Sequence, residues 1–286
     1  MLGRRGTLRF LAVPPFAWLV LLFVVPLTLI ALFSLREGAG AVSPSDPFAP
    51  SIEQYREVLK TPAFVRLLGV SILVAAGVAT LATTLAYPVA YFLAFRAGRR
   101  AALFLTLLLV PFAVSYLLRV MAWKLMLGPE GGINSLLAAL GLTDEPLRLL
   151  LYSRPAVIVT LVYVWIPFAA LPIYAAMQRI DRAHLEVAAD LGAGPWSRFW
   201  RVTVPLSLPG ALATFFMVFI PTVGEYVTPT LVGGAEGIMY GNIIQGFFTR
   251  SANWGMGAAM AMLMLSLTAV LVVIGFGAVT RRQAAP

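Results

Sequence analysis

Residues 179–210 read RIDRAHLEVAADLGAGPWSRFWRVTVPLSLPG, and this stretch separates two long apolar runs. Asp181 is a good N-cap, and Leu185, Ala188, Ala189 and Leu191 supply a small-residue apolar face. Gly192 stands where a helix stops in a left-handed turn. Gly194-Pro195 then starts a second helix with proline at its first position, and Trp196, Phe199, Trp200 and Thr203 follow at helical spacing until Pro205, which is expected to end it. The stretch is therefore read as a helix-glycine-helix elbow in a polar loop of roughly 27 residues, with more apolar surface than lipid alone can cover.

The rest of the chain says what the elbow projects from. Of 286 residues 60% are apolar and 12% charged, a balance that a soluble domain of this size cannot carry on its surface. A span needs about 20 mostly apolar residues, because a helix rises about 1.5 Å per residue across a core about 30 Å thick. Six windows qualify, near residues 10–35, 67–95, 101–127, 155–177, 206–232 and 256–280. The fold class expected is an all-α integral membrane protein with six transmembrane helices, forming a single domain over residues 1–286. The first window follows Arg4, Arg5 and Arg9 but is longer than the apolar core of a secretory signal and lacks a small-x-small cleavage site before Arg36-Glu37-Gly38, so it is read as a retained helix.

Charge orients the spans. One set of connecting segments holds Arg4, Arg5, Arg9, Arg96, Arg99, Arg100, Arg179, Arg182, Arg198, Arg201, Arg281 and Arg282 against only Asp181, Glu186 and Asp190, an excess of nine positive charges. The opposite set holds Arg36, Arg56, Lys60, Arg66, Arg148, Arg154 and Arg250 against Glu37, Asp46, Glu53, Glu57, Glu130, Asp144, Glu145 and Glu236, an excess of one negative charge. The positive-inside rule thus predicts both termini and the elbow in the cytoplasm, and explains the net +9 without nucleic acid. On the outer side, Ile52, Tyr55, Val58 and Leu59 predict a short helix lying against the membrane, and Ile133, Leu136, Leu137 and Leu140 another ending at Gly141.

Several chemistries are excluded outright. Cysteine is absent and His184 is the single histidine, so thiolate sites, cysteine nucleophiles and multi-histidine metal centres are ruled out. No cofactor or metal is expected, and His184, on the elbow, is read as a solvated or capping side chain. Met256, Met260, Met262 and Met264 in the last span are read as adaptable packing. No Gly-x-x-x-x-Gly-Lys-Ser/Thr loop occurs, so the chain does not hydrolyse ATP. An ion-coupled carrier would call for paired inverted repeats and several intramembrane acids, and neither is evident; an intramembrane enzyme would need a metal cluster or a nucleophile with its base.

The elbow resembles the signature of binding-protein-dependent ATP-binding-cassette importer permeases: Glu-Ala-Ala, three residues, Gly, nine residues, Ile-x-Leu-Pro. Glu186, Ala188, Gly192, Val202, Val204 and Pro205 stand at the matching spacings, while Val187 departs from the first alanine and valines replace the isoleucine and leucine. The resemblance implies a type I importer permease fold in a bacterial inner membrane. It also implies that Glu186, Ala188, Ala189, Gly192 and Pro205 belong to a coupling loop over residues 179–205. The partners implied are an ATP-hydrolysing cassette subunit, a second permease, either a copy or a paralogue, and an extracytoplasmic solute-binding protein.

A second segment bears on the cargo. Residues 219–229, Phe-Ile-Pro-Thr-Val-Gly-Glu-Tyr-Val-Thr-Pro, place Glu225 inside the fifth window, where an unpartnered charge costs at least about 2.5 kcal/mol. Glu225 and Tyr226 are candidate substrate-pathway residues, suited to a cationic amine by ion pairing and cation–π contact, with Trp123, Tyr163 or Trp165 as further aromatic partners. The alternative is a structural ion pair of Glu225 with Arg119 or Lys124. The run Gly-Glu-Tyr-Val-x-Pro-x-Leu-x-Gly-Gly over 224–234, with Gly241-Asn242, is similar to permeases of spermidine/putrescine importers, and related permeases for other solutes share much of it.

Overall fold

The computed structural model describes residues 13–36, 49–143, 145–147 and 150–284, the last seven by their backbone alone. Arg4, Arg5, Arg9, Glu37, Asp46, Asp144 and Arg148, and the side chains of Arg281 and Arg282, lie outside that description. Apart from one antiparallel bridge between Arg36 and Pro50, the regular structure of the described residues is helical. Five helices are long and apolar enough to cross a membrane, and a bent helix pair over residues 98–139 is apolar enough when its two halves are taken together.

In chain order the elements are α1 (Val13–Ser34), α2 (Glu53–Lys60), α3 (Pro62–Arg96), α4 (Gly98–Ala113), α5 (Tyr116–Leu127), α6 (Gly132–Ala139) and α7 (Arg154–Gln178). After α7 come α8 (Arg182–Asp190), α9 (Pro195–Val223), the wide turn α10 (Pro229–Gly233), α11 (Tyr240–Thr249) and α12 (Trp254–Ala284). Residues 1–66 with 243–286 form one compact unit and residues 67–242 another.

In the first unit α1 packs along α12, with the Phe33 and Trp254 rings edge to face at 6.0 Å. Most of α1 presents apolar side chains outward, as a lipid-facing span does. The predicted short helix is present as α2. Val58 (2% exposed) and Gln54 are buried, and Tyr55 shares a 2.7 Å hydrogen bond with Ser34, while Ile52 and Leu59 face outward. Packing against α12, which sequence spacing does not contain, selects the side that is buried.

The second unit is built on small-residue contacts. Ala75, Ala79, Ala82, Ala86 and Ala90 are fully buried along one side of α3, which lets a neighbouring backbone come close. Tyr87 of α3 hydrogen-bonds Ser207 of α9 at 3.0 Å, and Thr214 of α9 donates to the Ala169 carbonyl of α7 at 3.3 Å. The helices α7 and α9 form the most extensive packing of the chain. At their crossing a Cβ on Gly210 would overlap the Ala176 methyl and lie 2.9 Å from the Pro172 carbonyl oxygen.

Three expected boundaries change. The third window is two helical segments, because Pro111 supplies no N–H and Val114 and Ser115 adopt extended backbone, so Gly98–Ala113 and the following Tyr116–Ala139 stand at 86°. Pro205 does not end a helix. The wide turn over Phe199–Thr203 absorbs its missing N–H, and α9 runs unbroken from Pro195 to Val223. At its far end α9 stops at Val223, nine residues short of the predicted end. The predicted helix ending at Gly141 is α6, closed by Gly141 at φ +66° and by the Leu142 N–H on the Leu137 carbonyl.

Gly210→Val should force α7 and α9 apart and destabilise the protein by about 1 to 3 kcal/mol. Thermal denaturation of the detergent-solubilised protein would read this as a lowered midpoint. Gly77→Val, at a glycine whose added Cβ meets nothing within 4 Å, should change it little.

Candidate functional site

The elbow and the segment around Glu225 both lie in the second unit, and both are built by capping. At the elbow, Asp181 is extended at φ −63°, ψ 131° and accepts the Ala183 N–H at 3.0 Å, which starts α8. The helix stops because Gly192 turns left-handed at φ +83°, while the N–H groups of Gly192 and Ala193 bond back to the carbonyls of Ala189 and Ala188, each at 2.9 Å. Gly194 then caps α9, with Pro195 at its first position.

Of the predicted elbow residues, Glu186 and Ala189 are exposed and Ala188 is half-buried. Ala183, Val187 and Leu191, spaced four apart, form an outward apolar stripe in which Leu191 is 83% exposed. Together with His184 and Ala188 they line a shallow groove. Val187 and Leu191 are the larger exposed apolar side chains of that stripe, and their i, i+4 spacing was the available signal. His184 is exposed, with Nδ1 3.3 Å from the Asp181 carbonyl oxygen, in keeping with a solvated capping residue. Pro205 lies on α9, beyond the turn and away from that groove.

Glu225 is not inside a span helix. It follows the end of α9, and its Oε1 accepts the N–H groups of Val227 at 2.9 Å and Thr228 at 3.0 Å, so the carboxylate caps the turn leading into α10. The Tyr116 hydroxyl, from α5, hydrogen-bonds Thr228 at 2.6 Å and also reaches the Glu225 side chain. This satisfies a negative charge with oriented donors. Neither Arg119 nor Lys124 forms the alternative ion pair: Arg119 lies 4.6 Å above the Phe112 ring, and Lys124 lies 5.8 Å from the Tyr152 ring. Trp123 packs on Tyr163 and Trp165 on Phe168.

Asn242, which sequence reading left without a role, clamps the loop. Its Nδ2 donates to the Tyr226 carbonyl at 2.9 Å and to Thr230 Oγ1 at 2.8 Å, and its Oδ1 accepts the Met239 N–H at 2.9 Å. The preceding Gly241 is required by contact, since a Cβ there would sit 2.6 Å from the Gly224 carbonyl oxygen and 2.8 Å from that of Glu225. Tyr226 keeps its side chain 44% exposed beside the clamped backbone. Among the described residues no cluster of acids or histidine could hold a metal.

The family described as "binding-protein-dependent transport system inner membrane component" matches residues 2–284. The chain belongs to that family. It is 33% identical over 266 residues to the spermidine/putrescine transport system permease protein PotB of Haemophilus influenzae, covering 92% of this chain and 91% of the relative. The Escherichia coli PotB is likewise 33% identical, over 89% of this chain and 90% of its own length. Among solved structures, a bacterial ABC transporter involved in the import of the acidic polysaccharide alginate matches with a TM-score of 0.77 at 16% identity, covering 100% of this chain and 98% of that one. That likeness is one of fold. As an inner-membrane transport component the chain is a multi-pass membrane protein whose work is translocation rather than catalysis.

Glu225→Ala removes the acceptor for two backbone amides and should cost about 1 kcal/mol, the usual loss for a helix cap. Glu225→Gln retains an oxygen acceptor and should unfold close to the parent temperature. Parallel melting curves of the two purified variants check the difference.

Proposed function

We propose that this permease carries polyamines such as spermidine and putrescine. The observation that carries the reading is similarity along nearly the whole chain to two permeases named for those solutes. The site chemistry supports it: Glu225 uses one oxygen on its own backbone, leaving a carboxylate charge beside the exposed Tyr226 ring, a pairing suited to an alkylammonium group.

The whole chain acts as one permease domain with both termini in the cytoplasm, the orientation that the arginine distribution favours. An ATP-hydrolysing cassette subunit docks on the elbow, with Glu186, Ala188, Ala189 and Gly192 presenting α8 to it. Pro205 sets the register of the wide turn that joins the elbow to α9. A second permease completes the pathway, and an extracytoplasmic binding protein delivers the solute. Because Pro195–Val223 is one continuous helix, movement of the elbow is transmitted directly to the Glu225 end of the span.

Uptake of labelled spermidine into cells whose own polyamine importers are deleted tests the cargo. The complete system should restore uptake, and Glu225→Gln should reduce it at least tenfold while leaving the amount of assembled transporter unchanged. Unaltered uptake in that variant would remove Glu225 from the pathway, and no uptake by the parent system would overturn the polyamine reading.

Gly192→Val places a β-branched residue at φ +83°, a conformation costing non-glycine residues about 1 to 2 kcal/mol. It should abolish stimulation of ATP hydrolysis by the loaded binding protein. Stimulation equal to the parent's would refute the coupling role of the elbow.

A further inference from the structure

The first residues of α9 have surface chemistry that translocation does not use. At about 1.5 Å per residue the 29 residues of Pro195–Val223 extend about 43 Å, against a hydrocarbon core of about 30 Å. Arg198 and Arg201 near its start assign the excess to that end, the level at which positively charged residues meet lipid headgroups. Here Trp196 is 73% exposed and Trp200 53% exposed.

These rings are held in place. Phe199, between them in sequence, packs edge to face on Tyr91 at 5.5 Å and on Tyr87 at 6.3 Å, both from α3. Trp196 stacks on Phe199 at 5.9 Å and Trp200 meets it edge-on at 5.3 Å. A rigid pair of tryptophans at this depth matches the belt that indoles form at membrane interfaces.

The arginines beside them lack counter-ions. Neither Arg198 nor Arg201 has a carboxylate within ion-pair distance among the described residues, and the Nε of Arg198 is buried with no hydrogen-bond acceptor. Arg96, Arg99 and Arg100, at the end of α3 and in the turn after it, add exposed positive charge at the same end of the unit. The acids of that end are Asp181, engaged with the Ala183 N–H, and Glu186 and Asp190, exposed on α8. An arginine guanidinium binds a phosphate through parallel hydrogen bonds, which its two terminal nitrogens provide.

We propose that Trp196–Arg201 is a binding site for an anionic phospholipid, whose headgroup phosphate is held by Arg198 and Arg201 while Trp196 and Trp200 lie along its glycerol region. Lipid is favoured over a protein partner because the segment continues the span axis, whereas the apolar stripe that suits a protein groove, Ala183, Val187 and Leu191, is on the separate helix α8. The bound lipid pins the base of the elbow to the membrane surface, so transmission through the elbow depends on anionic lipid.

The test uses the assembled transporter in nanodiscs of phosphatidylcholine, with or without phosphatidylglycerol. Phosphatidylglycerol should raise substrate-stimulated ATP hydrolysis several-fold in the parent, and the double variant R198Q/R201Q should lose that increase. An unchanged increase in the variant overturns the site. So does release of the ATP-hydrolysing subunit from the variant, which would give the surface to a protein, and so does full replacement of the lipid effect by inorganic phosphate. Independently of any variant, a photoreactive phosphatidylglycerol should label the peptide containing residues 195–203 of the unmodified protein more than its phosphatidylcholine analogue does. Equal labelling, or none, overturns the proposal.

Discussion

In hydrocarbon a backbone amide has no water to fall back on, so every break in a spanning helix must be closed by a partner within the protein. That constraint organises this chain. α9 can stop at Val223 because the Glu225 carboxylate takes two of the amides that follow, and the loop beyond can turn because Asn242 takes the Tyr226 carbonyl and supplies an acceptor to Met239. The wide turn over Phe199–Thr203 answers the same need in another way, by letting the Val204 N–H reach back to Phe199 where Pro205 has no N–H to offer. Glu225 is therefore structural: one carboxylate oxygen holds the backbone of the turn that follows α9.

The closeness of the helices follows from the same medium. Lipid tails are as apolar as leucine, so helices gain little from hiding apolar surface and gain chiefly from fitting closely. The buried alanines of α3 and Gly210 between α7 and α9 are that fit. The elbow and the Glu225 loop lie at the two ends of a single helix, Pro195–Val223.

The elbow contains two surfaces of different character. On α8 the apolar stripe is small and open, bounded by Glu186 and His184, and suits a protein groove. At the start of α9 the surface is aromatic and cationic, and suits a headgroup layer. Gly192 separates them with a left-handed turn at φ +83°.

By itself the sequence determined the class of fold, the number of apolar windows and the elbow. These depend on run length, on the cap at Asp181 and on glycine at Gly192, which act over a few residues. Tertiary structure decided where spans break and what a polar residue does once there. A window average could not see the 86° bend after Pro111, because both halves are apolar, nor could it tell a carboxylate within a helix from one that caps the next turn. The side of α2 that is buried was likewise set by α12, and the work of Asn242 by a loop sixteen residues away. Such roles are defined by contacts between distant segments, and only the folded chain brings those segments together.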